Sequence, residues 1–492
     1  MISAICWVPK GASKIVPLVV EPPSKEEIEE ILKNDSQETR EDSEEEEEGM
    51  DVDTHVDVDE VARAVSAAQA LGKNQGNKSS NDLQNIADSL RELDMDHYDD
   101  EDEGIELFST GMGDLYYASN EMDPYLQNKD DDDEEEIDDM VIKPTDAVIV
   151  CARNEDEVSH LEVWIYEESE DGEPNMYVHH DVILPAFPLC TAWLDCNLKG
   201  GDKGNFIAVG SMEPAIEIWD LDLIEEVQPL VVLGGLSKKK KAKGKKTKKY
   251  KKGSHRDSVL GLAWNKEVRN VLASASADNT AKIWDVVAAK CVVTFEHHND
   301  KVQAVAWNRH SPEILLSGSF DQSVVMMDMK SSQQACHKWS VTAEVESLAW
   351  DPFSEHSFVV SLENGTVQGF DKRTASSNSS CLSKPTFILH AHEKAVSSVS
   401  FNPSAPNLLA TGSTDKMVKL WDLSNNQPSC VASQNPKAGA VFSISFSEDS
   451  PFLLAIGGSK GRSKVWDTLC DPGVVRSFGK YSSGRIDPNS SA

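Results

Sequence analysis

Residues 272–285, Leu272-Ala273-Ser274-Ala275-Ser276-Ala277-Asp278-Asn279-Thr280-Ala281-Lys282-Ile283-Trp284-Asp285, read as two short alternating strands around an Asp-containing turn, closed by Trp-Asp. The shape returns at 409–422, ending in Trp421-Asp422, and at 315–328 with Met327 in the Trp place. Such terminal pairs stand at Trp219-Asp220, Trp284-Asp285, Met327-Asp328, Phe370-Asp371, Trp421-Asp422 and Trp466-Asp467, in steps of 65, 43, 43, 51 and 45 residues. A period of about 40–45 residues is that of four-stranded propeller blades.

The first residues, Ile2-Ser-Ala-Ile-Cys-Trp-Val8, match Leu260–Trp264, Val302–Trp307 and Val345–Trp350, so they read as the innermost strand of a blade. The rest of that blade follows only after about 130 residues, as 147–151, 161–166 and an outer strand at Met176–Leu184. Further inner strands are expected near Trp193, Trp264, Trp307, Trp350, Phe401 and Phe446, with a last outer strand at Val474–Phe478. The fold expected is all-β: a seven-bladed propeller over 144–479, its first inner strand at 1–9 and a disordered tail at 480–492. Ring closure then depends on the N-terminal strand docking onto the last blade.

The 492-residue chain has a formal net charge of −37, and residues 21–142 carry 42 Asp and Glu against 8 Lys and Arg. This insertion in the first blade, with Glu44–Glu48, Asp99–Glu103 and Asp130–Glu136, is expected to be mostly disordered by self-repulsion. Short amphipathic patches such as Ser24–Leu32 are too short to hold a helix alone. Tyr116, Tyr117 and Tyr125 stand among acids, a composition that anchors a segment on a partner or folds back on the propeller. Ser43, ahead of Glu44–Glu48, suits an acid-directed kinase.

A second insertion, within 237–253, holds 11 lysines between residues 238 and 252. Lys238, Lys239, Lys240, Lys241, Lys245, Lys246, Lys248 and Lys249 form a run suited to nuclear import, to phosphate contact, or to solubility alone. Without interleaved aromatics it lacks the stacking groups of sequence-selective single-strand binders. Nine cysteines without a C-x-x-C pair suit a reducing compartment, and neither a secretory signal nor an apolar run near 18 residues is found. No membrane or small-molecule partner is expected.

His255, His298 and His392 each stand 23 residues before Asp278, Asp321 and Asp415, which stand six before Trp284, Met327 and Trp421. Repetition in three blades favours a structural hydrogen-bond network over a hydrolytic triad. Nucleophile-elbow, phosphate-loop and zinc-protease motifs are absent, so no enzyme activity and no cofactor are expected. His179-His180-Asp181 is the densest metal-like cluster, but neighbours on a strand point to opposite faces, so no metal is expected there.

The Trp-Asp endings, the His and Asp spacing and the sevenfold period together resemble the WD-repeat family, most specifically over 254–285 and 390–422. The N-terminal inner strand, Asp123-Pro-Tyr125, Val141-Ile-Lys-Pro144, Tyr177-Val-His-His-Asp181 and the lysine loop narrow the resemblance to a nucleolar branch of that family. That resemblance implies a nuclear and nucleolar factor of ribosome biogenesis, linked to large-subunit pre-rRNA maturation, rRNA transcription and chromatin. The implied partners are ribosome-assembly or ribosomal proteins and pre-rRNA. The alternative is a histone-binding chromatin regulator. Met327 and Phe370 depart from the repeat, and blades four and five are expected to be less tightly pinned.

Overall fold

In the computed structural model, Ile2–Val8 pairs antiparallel with Ala147–Glu155, joining it to Val158–Glu168 and Pro174–Leu184 as the first four-stranded blade. The described residues are 1–19, 140–155, 158–168, 174–196, 198–200, 203–237, 249–330, 336–374 and 384–482. Inner strands of the next six blades are Pro188–Leu194, Val259–Trp264, Val302–Trp307, Val345–Trp350, Ser398–Phe401 and Val441–Phe446. The seven-bladed propeller read from the repeats is therefore the fold.

Second strands are largely apolar and deeply buried; Leu453–Gly458 is buried along its whole length. Their closest approach to the next blade falls on glycine. A Cβ on Gly318 would lie 2.5 Å from Val345 Cγ1, and one on Gly457 would lie 2.6 Å from Ile2 Cγ2. Ile2 thus takes at the ring's closure the place that Val345 takes inside the ring. The closing seam adds Ile5 N–H donating to Ser443 Oγ (3.1 Å), Trp7 Nε1 to the Ser445 carbonyl (2.8 Å), and Lys10 N–H to Asp449 Oδ2 (2.8 Å).

The upper face is defined here by the turns that carry His255 and Asp278; links from inner to second strands open on the lower face. Leu18–Val19 pairs parallel with Leu223–Ile224, and Ile142 is buried with its N–H bonded to the Ile15 carbonyl (2.8 Å). Both ends of the acidic insertion are therefore anchored on the lower side of blades one and two, and its last residues, 140–142, pack on the propeller.

The last blade departs from expectation. Val474–Phe478, read as an outer strand, lies in the helix Pro472–Phe478, and blade seven has three strands among the described residues. Asp471 caps the helix by accepting from Gly473 N–H (2.8 Å), and Pro472 opens its first turn. Val474 and Phe478, four apart on one helical face, are buried with Ala432 and Trp466. Of the expected tail, Gly479–Tyr481 forms a 3₁₀ turn, and 483–492 lie outside the described residues.

Candidate functional site

In blade three, His255 is fully buried, with Nδ1 3.0 Å from Asp278 Oδ2 and Nε2 2.6 Å from Ser274 Oγ, to which Trp284 Nε1 donates at 2.8 Å. Blade six repeats the set, with His392 Nδ1 2.9 Å from Asp415 Oδ2, Nε2 2.8 Å from Thr411 Oγ1, and Trp421 Nε1 donating to Thr411 at 2.9 Å. An indole only donates, so the hydroxyl oxygen accepts from it and passes its own proton to His Nε2. Nδ1 then carries the imidazole proton and donates it to the Asp carboxylate.

Burial opposes ionisation of Asp278, but bonds from His255, Thr280 and the Arg256 N–H outweigh it and hold the carboxyl well below its ordinary range. Burial likewise pushes His255 and His392 down, favouring their neutral forms. The Ser274 and Thr411 hydroxyls are buried, with donor and acceptor both engaged, and sit as pins between strands. Blade four keeps His298 Nδ1 3.2 Å from Asp321 Oδ2 and Nε2 2.8 Å from Ser317 Oγ, but Met327 offers that hydroxyl no indole donor. Around Phe370, rings take over: Trp339 meets Phe358 edge to face and Phe358 stacks on Phe370, with centroids 5.1 and 5.6 Å apart.

Two further sets of ties, between blades, escaped the sequence reading. Trp307 Nε1 donates to the Ala263 carbonyl (3.0 Å), and Trp350 Nε1 to that of Ala306 (3.1 Å), so each indole holds the inner strand of the preceding blade. The next residue reaches the other way. Asn265, Asn308 and Asn402 donate through Nδ2 to the carbonyls of Pro312, Glu355 and Pro451 in the following blade (2.7, 2.9 and 2.5 Å). Blade five carries Asp351 in the Asn place and blade six Phe401 in the Trp place, so the seam between them lacks both ties.

On the upper face, the lysine loop springs from a paired foot: Leu236 bridges Tyr250, Ser237 N–H donates to the Lys249 carbonyl (2.7 Å), and Lys251 N–H to that of Gly235 (2.9 Å). Lys251, Lys252 and Arg256 line an open cavity of about 450 Å³ with Tyr250, Gly253 and Ser254. Of the import run only Lys249 is described; Lys238, Lys239, Lys240, Lys241, Lys245, Lys246 and Lys248, like Ser43, Tyr116, Tyr117 and Tyr125, lie outside the described residues.

The expectation that His179 and His180 face apart fails. A bulge in the outer strand opposite Val163 and Trp164 brings their Nδ1 atoms to 2.8 Å, while His179 Nε2 lies 3.2 Å from the Met140 carbonyl. Burial and the neighbouring imidazole push His180 down to about 4. Among the described residues no group of three or more His, Cys, Asp or Glu side chains is arranged to hold a metal. Burial raises the thiols of Cys6 and Cys196 to about 11 and that of Cys151 to about 12, so they pack as apolar groups rather than nucleophiles.

The WD domain, G-beta repeat family model matches residues 383–422 and 428–467, and the anaphase-promoting complex subunit 4 WD40 domain model matches 239–310. A WD repeat-containing protein of Schizosaccharomyces pombe is 47% identical over 366 residues, covering 72% of this chain and 68% of that protein. Periodic tryptophan protein 1 of Saccharomyces cerevisiae is 32% identical over 499 aligned positions, covering 89% and 82%. The Drosophila melanogaster periodic tryptophan protein 1 homolog is 28% identical over 445 residues, covering 87% and 85%. With its Trp-Asp blades and its ring closed by an N-terminal inner strand, the chain belongs to the periodic tryptophan protein 1 family of WD-repeat proteins.

Proposed function

We propose that the chain is a non-catalytic scaffold of ribosome biogenesis, resident in the nucleus and nucleolus, where it serves large-subunit pre-rRNA processing and rRNA transcription. The observation that carries this reading is the separation of charge: the basic foot Lys249, Lys251, Lys252 and Arg256 stands on the upper face, while both ends of an insertion of net charge −34 are anchored on the lower side. A basic loop and an acidic insertion rooted on opposite sides of one ring suit bridging an anionic polymer such as pre-rRNA to basic assembly or ribosomal proteins. The buried, fully engaged hydroxyls of the His networks support the non-catalytic part.

Sedimentation of nuclear extract at about 100 mM salt, where the Debye length is near 10 Å, followed by sequencing of RNA in the fractions holding the protein, tests the reading. Co-sedimentation with large-subunit precursor rRNA is expected. Sedimentation with nucleosomal DNA and histones, free of precursor rRNA, would replace it with the chromatin reading.

A further inference from the structure

Blade seven ends in an open edge. Its outermost strand, Lys464–Asp467, pairs with Leu453–Gly458 on one side and, among the described residues, with no strand on the other, whereas the other six blades are four-stranded. Thr468 N–H donates to the Phe452 carbonyl (2.9 Å), and Leu453 faces Asp467 while Ala455 faces Val465. Hydrogen-bonded and non-bonded pairs alternate along an antiparallel ladder, so the N–H and C=O of Val465 point outward to the open edge. The helix that replaces the expected strand does not pair along this edge but packs on blade six: a Cβ on Gly473 would lie 2.4 Å from the Val431 carbonyl, and Val474 and Phe478 bury with Ala432 and with the Trp466 side chain.

The surroundings of the edge are basic. Lys460, Arg462 and Lys464 lie on the hairpin that forms it, none with an ion-pair partner among the described residues, against the one carboxylate of Asp467 at its end. The turn between them, at Gly461, lies against the α-ammonium group of Met1 and the Arg153 guanidinium. A short edge on a hairpin of net positive charge resists pairing with a copy of itself but admits a strand of opposite charge.

We infer that the open edge of blade seven, Lys464–Asp467, takes up an extended acidic segment of a partner protein as the blade's fourth strand. Main-chain bonds to Val465 would supply the pairing, and Lys460, Arg462 and Lys464 the selection for acid. This inference is independent of the ribosome-biogenesis reading, because it needs only the edge and its charges.

The test is hydrogen exchange of the full chain, resolved to the Val465 amide, with a blocked peptide of alternating Asp and Val as probe. Saturating peptide is expected to slow exchange of that amide by about tenfold or more. The effect should vanish in the triple variant Lys460→Glu, Arg462→Glu, Lys464→Glu, and with a peptide N-methylated at alternate residues. Should the triple variant fail to fold, the turn pair Lys460→Gln, Arg462→Gln is expected to weaken protection. Absence of protection, equal protection by the N-methylated peptide, or protection indifferent to these charges would overturn the inference. So would a Val465 amide already protected in the chain alone, since the edge would then be filled from within.

Discussion

Asp351→Asn should stabilise the propeller. At the same point of blades three, four and six an asparagine holds its own loop through Oδ1 and the next blade through Nδ2; Asp351 does only the first, accepting from Phe353 N–H at 2.9 Å. The acceptors in the other seams, Pro312, Glu355 and Pro451, each stand four residues after the equivalent position of their own blade, which makes Pro406 the expected acceptor here. Burial raises the Asp351 carboxyl above its ordinary range, so at neutral pH the fold carries a charge it disfavours. A new net hydrogen bond is worth about 0.5–1.5 kcal/mol. With the charge removed, the gain should be about 1–2 kcal/mol, or a rise of about 2–4 °C in Tm. The folded state binds the Asp351 proton more tightly than the unfolded chain, so wild type loses its handicap as pH falls through the folded pKa towards the ordinary value. The advantage of asparagine should therefore be largest near pH 7 and shrink towards pH 4. Thermal and denaturant melts of both proteins across that range decide it. The reciprocal Asn308→Asp should destabilise by about 1–3 kcal/mol. An unchanged or lower Tm for Asp351→Asn at pH 7, with Asn308→Asp silent, would refute the reasoning that these ties hold the seams.

Removing residues 1–8 withdraws Ile2, Ile5 and Val8, each buried, at about 1.5–3 kcal/mol apiece, a sum comparable with the whole stability of a domain. The truncated chain is expected to open or unfold, read by circular dichroism and protease sensitivity, and a synthetic peptide of the missing strand should restore protection. Acid should destabilise the fold well before the carboxylates titrate. His180 is held down to about 4, so the unfolded chain takes up its proton below about pH 6.5 while the folded one does not, and stability falls between those values. His180→Gln should flatten that part of the profile in denaturant melts at pH 7, 6, 5 and 4.5; a slope unchanged by the substitution would locate the proton uptake elsewhere.

What the sequence made legible was what the chain settles locally. The His network of blade three ties residues 10 to 25 apart within one repeat, so its geometry appears as a fixed spacing that recurs at 298 and 392. The ties between blades reach 44 to 49 residues to a backbone carbonyl of any identity, which leaves no partner residue to recognise. The same limit hid the edge of blade seven. Val474 and Val475 have strand character, but Asp471 and Pro472 set a helix start, and the surface of blade six around Val431 receives Val474 and Phe478.

The bulge at His179 is of the same kind. Alternation assumes an unbroken ladder, and one extra residue opposite Val163 and Trp164 turns two expected opposites into neighbours 2.8 Å apart. That bulge places His179 against the Met140 carbonyl, where the chain returns from the acidic insertion, so the irregularity sits where the insertion is tethered. The substitutions at Asp351 and Phe401 follow the same logic from the other side. Each is an ordinary residue within its own repeat, and they become informative only when paired across a seam that has lost both ties. Val8 and Leu194 also stand in the Asn place, and Trp193 and Trp264 donate within their own blades, so three seams lack both ties; the one between blades five and six is where a single Asp-to-Asn change can supply the missing one. Asp351→Asn acts on that seam and on no other.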